Sequence, residues 1–519
     1  MSRVSVFAKN SKWAYFGKIL GQFLSLIASI IIIRELPVHT FGEYSVVLTA
    51  LALANMLSLA AIVSINNRFV PEFLEHGYLK QFERLLFTGL IISGAVLLII
   101  ASAAIFFRND ISRLLNAPFF SEWKYYIILL LGASYYKTVV ESILKNMLLN
   151  KWLAINTIIA GVIRPILYLM YLNMLSLTLL ICIEIAIFTL NGVLGMFAIL
   201  YEYRILKKRI RIKHGRMLKK RVIRYGVYSS LNEIGIGVVG QAYDGFIIAA
   251  LSSTYMVGIY SVAQRINSIV YQVIPISEIQ NILSNLYFRK YSHRTQSGLS
   301  QDILFSLVVK ILLVVHILPL VVFIIHGQEI ISEVFGEKYS ESYLVGIILI
   351  ATSGVLSYFY PQSILINHHE RMDIALRSKV VVVVSIVGGI IAMKYFGIIG
   401  MATSTLLGTI ISHLYMYLKM RQTYIVPYTI DQVKRVITYF ALLGLVFFLF
   451  KHLCSELLDY KIQIIIMILI NIFTFKYFEP FNLDELHVIE SFQKTFKRNI
   501  NIKWFLSNIS AHKGKNISG

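Results

Sequence analysis

Polar side chains recur at helical spacing in three long apolar segments of the sequence. The three sets are Lys18, Gln22, Ser25 and Ser29; then Ser230, Glu233, Gly237, Gln241 and Asp244; then Ser261, Arg265, Ser268 and Gln272. At about 100° per residue, each set lies along one face of an α-helix. An ionisable side chain at mid-membrane costs about 2.5 to 3.5 kcal/mol on insertion scales, so those that remain line a wet cavity or pair with each other. These stripes therefore indicate binding of a polar or charged solute.

Four carboxylates in apolar segments are candidates for coupling an ion to movement: Glu141, Glu184, Glu233 and Asp244. Glu141 lies four residues from both Lys137 and Lys145, so a structural ion pair on one helix face is the simpler interpretation. Arg164 and Glu184 lie in consecutive apolar segments, and they either pair or relay a proton or sodium ion. The sequence contains no nucleotide-binding loop, metal cluster or nucleophile triad, so we expect neither enzyme activity nor a cofactor.

The composition explains which elements hold these residues. Of 519 residues, 57% are hydrophobic and 15% charged, and the mean hydropathy is +0.70, which excludes an ordinary soluble enzyme. A bilayer core about 30 Å thick needs about 20 apolar residues per helical crossing. Fourteen such stretches start near Trp13, Glu43, Leu85, Tyr125, Leu153, Leu175, Tyr225, Tyr255, Ile303, Ser342, Ile374, Phe396, Val433 and Ile462. The sequence predicts an all-α polytopic membrane protein with about fourteen transmembrane helices.

The distribution of cations predicts the orientation. With the N-terminus inside, 35 of the 49 Lys and Arg fall in inside segments, eight fall in outside loops and six fall within helices. This asymmetry follows the positive-inside rule, so we expect both termini in the cytoplasm.

Composition also divides the chain. The predicted segments are an N-terminal six-helix lobe at 1–200, a basic cytoplasmic linker at 201–224, a C-terminal six-helix lobe at 225–420, helices 13 and 14 at 421–477, and a basic cytoplasmic tail with an amphipathic helix at 478–519. The linker holds eleven cations between Arg204 and Arg224. In a membrane protein such a run is expected to lie on anionic phospholipids, and we expect no nucleic-acid partner.

The two lobes show an internal repeat at an offset of 216 residues. Residues 42–46, Gly-Glu-Tyr-Ser-Val, align with residues 258–262, Gly-Ile-Tyr-Ser-Val, and the predicted helix starts keep nearly the same offset. A duplication of six helices followed by two extra helices fits this pattern. We expect Gly42 and Gly258 at chain reversals, where glycine can take a positive φ.

The chain resembles the Wzx-type oligosaccharide-lipid flippases of bacteria, within the superfamily that also holds MATE exporters and lipid II flippases. The residues that carry the resemblance are Arg34-Glu35-Leu36-Pro37, Phe41 to Ser45, Leu251 to Ser253, Val257 to Ile266, and Phe335 to Tyr339. The resemblance implies two six-helix bundles around a central cavity in the bacterial inner membrane. It implies movement of undecaprenyl-diphosphate-linked O-antigen or capsule units by alternating access, driven by a proton or sodium gradient. Glycan polymerase and chain-length proteins are candidate partners.

Under this resemblance, Lys18 and Arg265 are the candidates for contact with the diphosphate, because cations reduce the desolvation cost of its charges. Gln22, Ser25, Ser29, Gln241, Ser261, Ser268 and Gln272 complete the polar lining. An arginine that pairs structurally with Asp244 is the competing interpretation of Arg265. The alternative functions are a MATE-like cation or drug antiporter and a membrane-embedded glycan polymerase or ligase.

Overall fold

The computed structural model describes residues 3–122, 124–147, 149–209, 221–223, 225–227, 230, 242–273, 301–368, 371–422, 430–454 and 458–477. Within these ranges the regular elements are helices and no strand is present, as the sequence predicts. The predicted amphipathic tail helix and half of the basic linker, residues 210–220 and 224, lie outside the described residues.

The longer helices have the following bounds in chain order. They are α1 Arg3–Glu35, α2 Val38–His76, α3 Leu79–Phe106, α4 Arg108–Leu114, α5 Phe119–Glu122, α6 Lys124–Asn146, α7 Asn150–Met170, α8 Leu177–Arg209, α9 Ala242–Leu251, α10 Thr254–Val273, α11 Gln301–Val334, α12 Ser342–His368, α13 Met372–Arg421, α14 Ile430–Cys454 and α15 Tyr460–Tyr477. Short 3₁₀ turns occur at Leu172–Met174 and Glu337–Tyr339.

Nine helices in the described part of the chain are long and apolar enough to cross a membrane. Predicted starts at Tyr125, Leu153, Leu175 and Ser342 agree with the observed helices to within three residues. The first helix begins ten residues earlier than predicted, at Arg3, because hydropathy does not detect a basic first turn. The total of fourteen stays a prediction, because the predicted start of helix 7 leads into residues outside the described ranges.

Many of these helices expose apolar side chains, as lipid-facing helices must. In α3, Phe87 is 68% exposed, Leu98 68% and Ile99 69%. A large exposed apolar surface on a long helix marks contact with lipid rather than water. The described residues therefore belong to a multi-pass membrane protein.

The α13 helix is a helical hairpin. Gly397 has φ 57° and ψ −144°, a conformation that interrupts the helix and that glycine adopts without a Cβ clash. Beyond it the chain folds back, since Ser404 Oγ donates to the Ser385 carbonyl at 2.7 Å and a Cβ on Gly389 would lie 3.1 Å from Met401 Sδ. Predicted helices 11 and 12 are thus the two arms of this hairpin.

The chain divides into two compact units. One comprises Met1–Gln272, Val334–Val345 and Val382–Thr405, and the other comprises Val273–Glu333, Gly346–Val381 and Leu406–Gly519. The second unit has an apolar core to which Phe305, Val436, Phe440, Phe447 and Met467 contribute. The predicted lobe boundaries at 200 and 225 stay a prediction.

In the first unit, α1 packs on α7 through small residues. A Cβ on Gly17 would lie 2.3 Å from Ala154 Cβ, and one on Gly21 would lie 2.4 Å from Thr157 Cγ2. Gly161 similarly faces Leu24. Since the paired residue numbers rise together, the two helices run parallel, and small residues allow their backbones to approach closely.

Gly42 and Gly258 do not lie at chain reversals, so that expectation was wrong. Both lie inside helices, and the described glycines with positive φ are Gly77, Gly336 and Gly397. The physical reason for glycine is close approach: a Cβ on Gly42 would lie 1.7 Å from the Thr254 carbonyl oxygen, and one on Gly258 would lie 2.5 Å from the Val38 carbonyl oxygen. Residues 38 and 254 differ by 216, as do 42 and 258, so the two repeats meet in a quasi-symmetric contact.

Candidate functional site

A buried carboxylate connects three helices of the first unit, α2, α7 and α8. Glu184, in α8, is 3% exposed. Its Oε2 accepts a hydrogen bond from Arg164 Nη2 at 2.8 Å, and its Oε1 accepts from the Tyr168 hydroxyl at 2.8 Å and the Tyr44 hydroxyl at 3.1 Å. The carboxylate is therefore neutralised by one arginine and satisfied by two tyrosines, as a buried charge requires. The predicted Arg164–Glu184 pair is present, and this saturated geometry favours pairing over an ion relay.

Arg265 lies beside this cluster without a carboxylate of its own. Its Nη2 donates to the Ser25 carbonyl at 2.9 Å and lies 3.5 Å from Ser25 Oγ, while its Nε has no partner. Arg164 and Tyr44 are its electrostatic neighbours. The side chain is half-buried. In the described part of the chain, its hydrogen bonds go to Ser25 and no carboxylate pairs with it. The stripes on α1 and α10 thus meet at Ser25 and Arg265.

The interpretation of Arg265 as the partner of Asp244 was wrong. Asp244 is 0% exposed and accepts hydrogen bonds from the Tyr260 hydroxyl and from Thr405 Oγ1, which lies 3.3 Å from both carboxylate oxygens. These hydroxyl groups donate to the carboxylate that Arg265 would contact under the competing interpretation. Asp244 is therefore a buried acid held by neutral donors.

The repeat-related tyrosines make equivalent hydrogen bonds in the two halves. Tyr44 and Tyr260 differ by the repeat offset of 216, and each donates to a buried carboxylate, Glu184 or Asp244. The sequence reasoning missed both tyrosines, together with Tyr168. The signal was available, since tyrosine is the central residue of the aligned Gly-x-Tyr-Ser-Val segments.

The remaining predicted lining residues divide by what the structure describes. Gln22, Ser29, Ser261 and Ser268 are half-buried, and the Ser29 and Ser268 hydroxyls donate to carbonyls one turn earlier. Lys18 and Gln272 lie in α1 and α10, but their side chains are outside the described part, as are Glu233 and Gln241 altogether.

The fourth predicted acid, Glu141, is engaged on its own helix. Its Oε1 lies 3.4 Å from Lys137 Nζ, and the two side chains are 32% and 28% exposed. Lys137 also lies over the Phe188 ring, 5.2 Å from its centroid. This is the structural i, i+4 pair that the spacing predicts. Of the three predicted coupling acids that the structure describes, Asp244 is the one held by hydroxyl donors alone.

Two polar side chains connect the ends of helices at the predicted outer side of the first unit. Lys338 Nζ donates to the carbonyls of Arg34 and Leu36, each at 2.7 Å, and so satisfies the last turn of α1. Burial lowers the pKa of Lys338 below its ordinary value. Asn116, which has a φ of 45°, donates through Nδ2 to the Ala249 carbonyl at 3.1 Å. These contacts join residues of the first sequence repeat to residues of the second.

Known structures share this fold. A lipid II flippase, MurJ, in an inward closed conformation, matches with a TM-score of 0.66 at 16% identity, covering 95% of this chain and 100% of that one. An inward-facing multidrug resistance MATE family transporter of the MOP superfamily matches with a TM-score of 0.58 at 13% identity, covering 78% and 96%. A eukaryotic MATE transporter matches with 0.57 at 12%, covering 81% and 96%. No curated protein sequence matches.

The described residues hold no group of three or more His, Cys, Asp or Glu side chains that could bind a metal ion. What they do hold is a pair of neighbouring arginines and a separate buried acid inside an all-helical membrane fold. The sequence of residues 7–278, slightly more than half of the chain, matches the family described as polysaccharide biosynthesis protein. The protein is a member of this polysaccharide biosynthesis family, and it shares the fold of the MurJ and MATE structures.

Proposed function

We propose that the protein is a flippase that moves undecaprenyl-diphosphate-linked oligosaccharide units from the cytoplasmic to the outer leaflet of the bacterial inner membrane. Arg265 carries this proposal. A half-buried guanidinium that lacks an acidic partner in the described part of the chain is stabilised when an anion binds it. The diphosphate of such a lipid supplies about two negative charges, and the family and fold support a lipid-linked glycan as its carrier.

The proposed energy source is a proton or sodium gradient, and Asp244 is the coupling residue that the geometry favours. A fully buried carboxylate with hydroxyl donors, and with no basic partner among the described residues, is stabilised by taking up a proton or a small cation. Glu184 and Glu141 already have basic partners at 2.8 and 3.4 Å. We infer that Asp244, rather than either glutamate, responds to the gradient.

A MATE-like cation or drug antiporter is the second candidate, because a buried acid such as Asp244 also suits an organic cation. The family match favours the glycan lipid. A glycan polymerase or ligase has less support, since the matched solved structures are a flippase and exporters.

The test is transport by Arg265 variants of the full chain in proteoliposomes, together with surface polysaccharide in cells. Arg265→Ala should reduce flipping about tenfold or more, because a hydrogen bond to a charged group contributes about 1.5 to 3 kcal/mol. Arg265→Lys should keep part of the activity, because the charge survives although the planar fork is lost.

The matched control is Lys137→Gln, which removes a cation of an apolar helix that already has a carboxylate partner. It should transport glycan lipid at close to the normal rate. Normal flipping by Arg265→Ala at normal membrane abundance would refute the proposal. Export of an organic cation that survives Arg265→Ala and is lost with Asp244→Asn would select the antiporter instead.

A further inference from the structure

Arg164 and Arg265 come from different helices but lie within electrostatic range of each other. The register of α1 on α7 places Leu24 against Gly161, and the next residue, Ser25, holds Arg265 while the next turn of α7 carries Arg164. Consistent with this, Arg164 acts electrostatically on Arg265. Two like charges are thus kept together, which is unfavourable unless an anion or counter-ion compensates them.

The counter-ion that the described residues provide is insufficient for both arginines. Glu184 is one negative charge against two positive charges, and its described hydrogen bonds come from Arg164 and two tyrosines. A guanidinium has five N–H donors, and the Nε of each arginine has no partner. Arg164 is 22% exposed, whereas Glu184 is 4% exposed, so the arginine is the more accessible member of the ion pair. The described cluster therefore holds two buried Nε donors without a partner and two positive charges against one negative charge.

We propose that Glu184 is a positioning residue that holds Arg164 beside Arg265 for joint binding of the diphosphate, and that its own charge weakens this binding enough for release. The inference rests on the proposed function, because it assumes a diphosphate at Arg265. The two tyrosines keep the carboxylate in place, so that Arg164 is shared between Glu184 and the substrate. Occupancy of the site then stays reversible, which transport requires.

A purely structural ion pair predicts a different effect of Glu184 variants on anion affinity. If the ion pair only supports packing, removing either partner leaves the other unpaired and destabilises the fold. Both variants should then bind the anion more weakly. If Glu184 competes with the substrate for Arg164, neutralising the acid strengthens anion binding and neutralising the arginine weakens it. Competition between Glu184 and the substrate therefore predicts changes in anion affinity of opposite sign for the two variants.

The experiment measures binding of inorganic pyrophosphate to the purified full-length protein, with sulfate at equal ionic strength as the reference anion. Glu184→Gln should tighten pyrophosphate binding about fivefold, the upper range for a charge pair reached by solvent. Arg164→Gln should weaken binding by a similar factor. The double variant Lys137→Gln with Glu141→Gln, which removes the other pair, should leave binding unchanged.

Thermal unfolding of each variant controls for folding, and Tyr168→Phe, which keeps every charge, is the second line of evidence if Glu184→Gln is poorly folded. Tyr168→Phe frees Glu184 from one donor, so it should strengthen the hold on Arg164 and weaken pyrophosphate binding. Weaker or unchanged binding by a folded Glu184→Gln protein would overturn the inference, as would tighter or unchanged binding by Tyr168→Phe. Failure of the proposed function looks different: the wild-type protein would then bind pyrophosphate no better than sulfate, and Arg265→Ala would change nothing.

Discussion

A methyl group at Gly42 should disturb the contact between the two repeats more than one at Gly258. A Cβ atom essentially never lies within 3.0 Å of a neighbouring heavy atom, so Gly42→Ala requires a movement of at least 1.3 Å from the Thr254 carbonyl, the difference between 3.0 and 1.7 Å. Gly258→Ala requires 0.5 Å from the Val38 carbonyl on the same basis. Both obstacles are backbone atoms, which cannot rotate away as a side chain can. Overpacking typically costs about 1 to 3 kcal/mol, so we expect about 1 kcal/mol for Gly258→Ala and about 3 kcal/mol for Gly42→Ala.

The assay is thermal unfolding of purified protein in one detergent, combined with transport in proteoliposomes. The control is Gly132→Ala, because no atom lies within 4 Å of a Cβ built there and alanine in a helix is more stable than glycine by about 0.5 to 1 kcal/mol. Stability should fall in the order Gly132→Ala, wild type, Gly258→Ala, Gly42→Ala. A Gly42→Ala protein with wild-type stability and transport would show that the two helices are not in backbone contact in the membrane.

Three further outcomes are expected. Asp244→Asn should abolish uphill transport of the substrate but keep its exchange down its own concentration gradient. Transport is measured with and without an imposed proton or sodium gradient. Uphill transport that persists would exclude Asp244 as the coupling residue. Lys338→Met should lower the free energy of unfolding by about 1 kcal/mol, because two carbonyls lose a donor. An equal loss of stability in a Lys338→Arg protein, which keeps N–H donors, would argue against hydrogen bonding as the cause. Cysteines at Ser253 and Glu337 should react with an impermeant thiol reagent from outside and one at Lys213 should not; the reverse pattern would invert the proposed orientation.

Hydropathy predicts where the helices lie because crossing a bilayer imposes a length and an apolar composition that the chain cannot avoid. The same reasoning identifies Arg265, since a charge in such a segment is conspicuous. Its contact with Ser25 could not be predicted, because spacing along one helix does not reveal which neighbouring helix faces it. The competing interpretation, a pair between Arg265 and Asp244, was wrong for this reason.

Gly42 and Gly258 show a second limit of the sequence. Their position just after a predicted turn suggested backbone conformation, whereas the structure requires them for close approach between distant residues. Both causes select glycine, and the sequence alone does not separate them. Tyr44 and Tyr260 were missed because tyrosine counts as apolar in a hydropathy scale, although here the hydroxyl groups make the decisive hydrogen bonds.

The two repeat-related tyrosines, Tyr44 and Tyr260, contact acids that are not themselves repeat-related. Tyr44 and Tyr260 occupy equivalent positions of the sequence repeat and each donates to a buried acid, but one acid comes from α8 and the other from α9. Only the first of these acids has an arginine partner among the described residues. Among the described residues, no equivalent acid–arginine pair in the second half could therefore replace Glu184 and Arg164, and a change at Tyr44 affects a different acid from a change at Tyr260.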